Sequence, residues 1–293
     1  MNKGTSTQSY PSSMMGTIAL LRQTYLDAEW YKTKPAAEGM NLSLKTFNEN
    51  RSLPQVFEGG DKWNDLRADR IGDEFGVQYI LKAGQNEYQR IKEMKATNAT
   101  FILPLNFPLA QDVEDPNDAR FVSLGDMKHW ELAPTMPAAF EKAGVPFCLT
   151  SSDLKSVSQF SSALKKAMEY GLTENAALDA LTITPAKTIG VSDLVGSLEV
   201  GKLANFLVTT GPIFQEKSTL LQNWIQGIKY TIKEDAGSIT GTYTLSVSSP
   251  TGTEQFTLEV KSGGSTSMYA KDTLRSEEHT SELQSRQYLV CRL

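Results

Sequence analysis

The sequence predicts an α/β protein, with about four strand–helix units building a parallel sheet and a C-terminal portion made of β strands. Three observations carry that reading. Short apolar runs at 53–58, 77–82, 100–105 and 145–150 alternate with helix-patterned stretches, and strands separated by helices pair in parallel through crossover connections. Gly and Pro punctuate the boundaries between these runs. From Gly237 the composition changes to Thr, Ser and Gly in period-two alternation, the pattern of a β hairpin.

Each element has its own signal. Residues 1–14 read as loop, and 15–31 read as a helix because Ile18, Leu21, Tyr25 and Ala28 recur at three- and four-residue spacing. Lys34-Pro35 ends it, and Asn41 caps a short helix through Asn48. Strand 53–58 (LPQVFE) is followed by helix 61–76, strand 77–82 (VQYILK) by helix 86–95, and strand 100–105 (TFILPL) by a long excursion over 106–137. A helix at 138–143 leads into strand 145–150, which is followed by a helix at 157–170. Thr173 caps the next helix, with Glu174 in its first turn, and that helix runs to about Leu181. Residues 195–210 and 221–229 read as strands. TGTYTLSVSS and EQFTLEVKSGG then form a hairpin about Pro250, Thr251 and Gly252.

Composition narrows the function classes. The chain has 293 residues, of which 40% are hydrophobic and 22% charged, the balance of a soluble globular protein with a sizeable core. A net charge of −5 argues against a nucleic-acid partner, which requires a basic face. No apolar run approaches the ~18 residues of a membrane span. The opening MNKGTSTQSYPSS lacks the apolar core of a secretory signal, so any such signal is expected upstream of Met1 and localisation stays open.

The stretch RSEEHTSELQS, from Arg275 to Ser285, resembles the translation of a short-read sequencing-library adapter, so 275–293 is read as a non-biological tail. His279 and Cys291 go with it, leaving His129 and Cys148. Cys148 lies in an apolar run and reads as a small buried hydrophobe. The front end also reads as a cut inside a longer gene.

The segment from Gly144 to Tyr230 is the most specific. It runs from GVPFCLTSSD through LTENAALDALTITPAKTIGV to VGSLEVGKLANFLVTTGPIF. Thr182, Pro185 and Ala186 make a T-x-x-P-A motif. Gly196, Ser197, Glu199, Gly201, Lys202 and Ala204 follow as G-S-x-E-x-G-K-x-A, with Asn205 where Asp is commoner. This order resembles the C-terminal end of the amidohydrolase superfamily, in its imidazolonepropionase-like branch. The resemblance implies the C-terminal half of a (β/α)8 TIM barrel over 1–190 and part of a small β-sandwich domain over 191–232, while the composition of 233–274 reads as a truncated β-hairpin module. It also implies a metal-dependent hydrolase of non-peptide C–N bonds, amide or cyclic amide, acting on a small molecule. A homo- or hetero-oligomeric parent is left open, and a half barrel alone is expected to be inactive and marginally stable.

In the resembled family a divalent, Zn-like metal activates water, held by histidines at several strand ends and by an Asp after the last strand. Asp153 matches that Asp, as catalytic group and as metal ligand. A local alternative makes Asp153 the N-cap of a helix starting near Lys155. Glu58 and Ala83 stand where two of the family's histidines are expected. With those imidazoles missing, the alternative reading is a metal-free binding or partner protein. A third has Glu58 and Asp153 working as acid and base without metal. Lys82 repels a cation and is expected to pair with Glu58 or Asp153 across the mouth. The turn Glu58–Asp61 reads as flexible, Trp63 as the roof of a pocket, and His129 as a loop residue facing the mouth.

Overall fold

The computed structural model describes residues 11–33, 39–215, 217–233, 241–249, 252–260 and 266–270. Two helices lead. α1 (Met14–Lys32) is capped by Ser13, whose Oγ accepts from the Gly16 amide at 3.1 Å, and it buries Tyr25 and Ala28 of the expected stripe. α2 (Leu42–Glu49) starts where Asn41 Oδ1 accepts from the Leu44 amide. Tyr25 anchors this layer. It stacks on Phe75 at 4.6 Å, meets Phe47 edge-on at 5.2 Å, and shares a 2.5 Å hydroxyl hydrogen bond with Tyr79.

The strand–helix alternation follows as the apolar pattern predicts. β1 (Gln55–Glu58), α3 (Lys62–Phe75), β2 (Tyr79–Lys82), α4 (Ile91–Ala96) and β3 (Phe101–Pro104) come first. α5 (Pro116–Ala119), α6 (Leu124–Leu132), α7 (Met136–Ala143) and β4 (Phe147–Thr150) come next. The four strands form one parallel sheet in the order β1-β2-β3-β4, with Glu58 beside Lys82 and Pro104 beside Thr150. Parallel pairing brings the C-terminal ends of all four strands to one edge of the sheet. Phe101, Leu103, Leu81, Met94, Met136 and Phe140 are wholly buried around it, and Phe101 and Phe140 meet edge-on at 5.0 Å. Each such side chain contributes roughly 1.5–3 kcal/mol by leaving water.

Two helical expectations are refined. The helix expected at 86–95 opens as a 3₁₀ turn, Glu87–Arg90, before α4, and the one expected at 157–170 opens as 3₁₀ over Val157–Gln159 before α8 (Phe160–Glu169). The excursion expected over 106–137 is not plain loop. It carries α5, α6 and the first turn of α7, each started by a local signal: Asp115 and Ser123 as side-chain caps, and Pro at the first turns of α5 and α7. α9 (Glu174–Leu181) begins at Thr173 as expected, its Oγ1 accepting from the Ala176 amide, and Glu141 of α7 accepts from both the amide and the hydroxyl of Thr173. α10 (Ile183–Thr188) carries the T-x-x-P-A residues.

The β readings need more correction. Of 195–210 only β5 (Phe206–Thr209) is strand, because turns at Gly196 and Gly201 interrupt the preceding run. The segment 221–229 is not one strand but a hairpin, β6 (Leu220–Ile225) and β7 (Ile228–Thr231). Its two-residue turn, Gln226-Gly227, has φ of 50° and 81°, the left-handed pair that a tight hairpin requires. The expected C-terminal hairpin is a three-stranded antiparallel sheet: β8 (Gly241–Ser249), β9 (Gly252–Val260) and β10 (Thr266–Ala270), with β9 central. Pro250, Thr251, the Lys34-Pro35 stop and the 275–293 tail lie outside the described residues.

The chain divides into two compact units. One comprises Met1–Phe206, Phe214–Glu216 and Trp224–Ile228, and the other Leu207–Ile213, Lys217–Asn223 and Lys229–Leu293. Among the described residues no helix is long and apolar enough to cross a membrane.

Candidate functional site

The sheet's C-terminal edge gathers three of the residues singled out by sequence. Lys82 ends β2, and its side chain is only 15% exposed. Its Nζ bonds Glu58 Oε1 at 2.8 Å, Asp153 Oδ2 at 2.9 Å and Ser152 Oγ at 3.0 Å. An ammonium has three protons, so all its donors are engaged. Burial by itself would lower the lysine's pKa, but the hydrogen bonds to Glu58 and Asp153, and their charges, more than offset this and hold it above the usual lysine value. Lys82 is therefore a fixed cation and not a nucleophilic amine.

Backbone placement explains why the carboxylates meet there. Parallel register sets Glu58 directly beside Lys82. Asp153 lies three residues past β4 with φ of 69°, a left-handed conformation that Asp tolerates better than most side chains. It does not cap the next helix. That role belongs to Ser156, whose side chain accepts from the Ser158 amide. Ser152, held by its amide bond to Thr150 Oγ1, was not anticipated, although it lies beside Asp153 in the same turn.

The other two expected site residues, Trp63 in the first turn of α3 and His129 on α6 and not in a loop, have their contacts outside the Lys82 cluster. His129 stacks on Tyr88 with the rings 7° from parallel, and its Nδ1 lies 3.2 Å from the Tyr88 hydroxyl. Burial, opposed in part by Asp126, holds its pKa below the usual histidine value. Trp63 is 46% exposed, with Arg90 4.8 Å and Lys62 5.9 Å from its ring centre. A cavity of about 520 Å³ lies against α2 and is lined by Tyr25, Phe47, Asn50 and Arg51, so Trp63 does not roof it.

The Glu58–Asp61 turn is packed, not loose. A Cβ on Gly59 would fall 2.0 Å from Asp65 Oδ1, and Asn64 Nδ2 donates to the Gly59 carbonyl at 3.1 Å. Asp61 caps α3 by accepting from the Trp63 and Asn64 amides. Behind this turn lies a pair that sequence reasoning missed, Asp65 and Glu87, both fully buried. Burial, then the neighbouring Glu87 and Asp61, push the Asp65 carboxyl up to about 9. A signal for Asp65 existed: it falls on the helix stripe of Ala68, Ile71 and Gly72 that faces the core.

Residues 133–251 match the family model described as "Amidohydrolase family". Over those residues the chain is similar to that family. The match covers both the T-x-x-P-A and the G-S-x-E-x-G-K motifs, as well as Asp153. An amidohydrolase from Thermotoga maritima MSB8 has a similar fold, at 24% identity and a TM-score of 0.62 over 75% of this chain and 56% of that one. An uncharacterized protein aligns at 17% identity and a TM-score of 0.46, over 62% of this chain and 46% of that one. For phenylurea hydrolase B the values are 16% and 0.43, over 73% of this chain and 56% of that one. The chain thus spans about half the length of the solved structures it matches. No curated protein matches it.

Amidohydrolases generally depend on a metal, so the site must be tested for one. Its residues do not fit. β1 ends in a carboxylate and β2 in an ammonium, and the next residue, Ala83, is a buried methyl. Both carboxylates within reach are already bonded to Lys82. Among the described residues no group of three or more His, Cys, Asp or Glu is placed to hold a metal ion.

Proposed function

We propose that this amidohydrolase relative recognises a small molecule at the ends of β1, β2 and β4 without a metal. One observation carries the proposal: the Lys82 ammonium bonds Glu58, Asp153 and Ser152 at the strand ends where the resembled family holds its metal. A buried cation that keeps its proton fixes two carboxylates much as a metal would, but it cannot bind or activate water as a Lewis acid. Each carboxylate meets Lys82 through one oxygen and retains a second for a ligand. One ammonium and two carboxylates leave the cluster net negative. It therefore favours a neutral or cationic molecule presenting N–H donors over an anion. On this reading the parallel sheet is the last four strands of a (β/α)8 barrel, the first β sheet after it is part of a small sandwich domain, and the remaining barrel strands come from more of the parent chain or from a partner subunit.

Zinc titration calorimetry on the full chain, with Asp153→Ala alongside, tests it. Substoichiometric zinc in both proteins is expected. One tightly bound equivalent that disappears in Asp153→Ala would sink the reading.

A second reading is favoured by the family match over Asp153: the parent hydrolyses non-peptide C–N bonds, with Asp153 taking the proton from attacking water. Turnover of a cyclic amide by the parent, abolished in Asp153→Asn with zinc retained, would establish it over the first.

A further inference from the structure

The buried pair at Asp65 and Glu87 lies outside the Lys82 cluster and belongs to neither functional reading. Asp65 stands in the first turn of α3, and Glu87 opens the 3₁₀ turn that follows β2. Glu87 Oε1 accepts from the Gly84 amide at 2.8 Å. The other three carboxyl oxygens, Asp65 Oδ1 and Oδ2 and Glu87 Oε2, are buried with no hydrogen-bond partner placed on them among the described residues. Burial raises the Glu87 carboxyl more strongly than the backbone amides of Gly84, Glu87 and Asn86, which favour its charged form, lower it. Two ionised carboxylates in such a place would repel each other, and each would carry a large desolvation cost.

Among the described residues no cation is paired with either carboxyl. On α3, Lys62 donates to Gln89 and Arg67 to Asn64. Beside Glu87, Arg90 pairs with Glu93 of α4. On the strands, Lys82 is engaged with Glu58 and Asp153. Asp61 at the α3 N-cap and Asp69 on α3 add only further acid groups, Asp61 raising the Asp65 carboxyl and Asp69 being itself pushed up to about 6 by burial and by Asp73. On α7, Glu141 is bound to Thr173.

We propose that Asp65 and Glu87 share one proton, and that the resulting acid–carboxylate hydrogen bond latches the turn after β1 to the turn after β2. The surrounding geometry is that of a latch. The two turns interlock so closely that a Cβ on Gly84 would fall 2.2 Å from the Gly60 carbonyl oxygen, just as one on Gly59 would strike Asp65. Asn86 Oδ1 accepts from the Lys62 amide at 2.9 Å, a second fastening between the same turns. These turns leave the strands directly after Glu58 and Lys82, so the latch fixes the approach of those two side chains. Loss of the proton puts two negative charges against each other inside the joint and opens it.

The sign of the pH effect follows. The proton is bound in the folded chain and absent from the unfolded one between the ordinary carboxylate range and the raised value. Stability is therefore present at low pH and lost as pH rises through that window, by up to tenfold in the unfolding constant per pH unit. Urea unfolding of the full chain and of Asp65→Asn, from pH 6 to pH 8.5, reads this directly, since titrations outside the pair cancel in the ratio. The ratio of unfolding constants, wild type over variant, is expected to rise by about thirtyfold or more across that range. A ratio that stays flat overturns the proposal. Infrared spectra of the wild-type chain supply an independent reading should the variant fail to fold. A protonated-carboxyl C=O stretch at pH 7 that fades at higher pH is expected, and its absence at pH 7 overturns the proposal as well.

Discussion

Replacing Lys82 with Met removes the charge that gathers the strand-end cluster while keeping the buried stem. Three bonds are lost. The Glu58 and Asp153 side chains are 60% and 46% exposed, so solvent screens both ion pairs, and each is worth about 0.5 kcal/mol. The hydrogen bond from the mostly buried ammonium to Ser152 adds about 1 kcal/mol. The methylene stem packs about as well in Met as in Lys, so cavity terms stay small. The sum is a loss of about 2 kcal/mol, below the ~3–5 kcal/mol typical of breaking a fully buried pair. Urea unfolding of both chains measures it, with the slope unchanged and the midpoint lowered. About half of the loss is expected to vanish in 1 M salt, where the Debye length falls to ~3 Å. Because the Lys82 pKa is raised, its contribution is complete below the ordinary lysine value and fades only above it, so the difference should be level from pH 6 to 9. A loss below ~0.5 kcal/mol would mean that Lys82 holds nothing together. A loss above ~4 kcal/mol would mean that the carboxylates are buried charges and that the exposures mislead.

Three further outcomes follow from the packing. Asp61→Ala strips the α3 N-terminus of a carboxylate that accepts from two amides and the Asn64 side chain, and should cost about 1–2 kcal/mol by thermal or urea unfolding. Phe101→Ala, at the buried crossing with Phe140, should cost about 3–5 kcal/mol, and a loss under ~1.5 would place the core elsewhere. Gly59→Ala should cost about 1–3 kcal/mol through its collision with Asp65, and Asp65→Ala in the same chain should recover part of that loss, a coupling visible in a double-mutant cycle.

The alternation of apolar runs with helix-patterned stretches located every strand of the parallel sheet to within two residues, because buried strands announce themselves by apolar content alone. Lys82 with Glu58 and Asp153 was also legible, since parallel strands bring their C-terminal ends together whatever lies between them. Asp65 was not read, because a polar residue on a helix looks solvated until its stripe is compared with the core-facing one. Glu87 gave no such sign: a 3₁₀ turn has too few residues to display a period. The hairpin at Gln226-Gly227 was hidden for a related reason. Gln seldom takes a left-handed conformation, so the turn lacked the usual Asn or Asp before its Gly. In 195–205 apolar residues suggested a strand, but Gly196 and Gly201 carry the backbone through turns instead.

The connection between β3 and α7 has a dynamic consequence. α5 and α6 bury none of their residues, and Leu109, Phe121 and Leu124 stand largely in water. A segment with so little buried surface belongs to the low end of the local-unfolding scale. Its amides should exchange with deuterium through openings that leave the sheet intact, while those of Leu81 and Phe101 exchange only when the whole unit melts. Tyr88 would lose its stacked partner His129 in each such opening, so the ring environment of one tyrosine records how often the excursion lifts away.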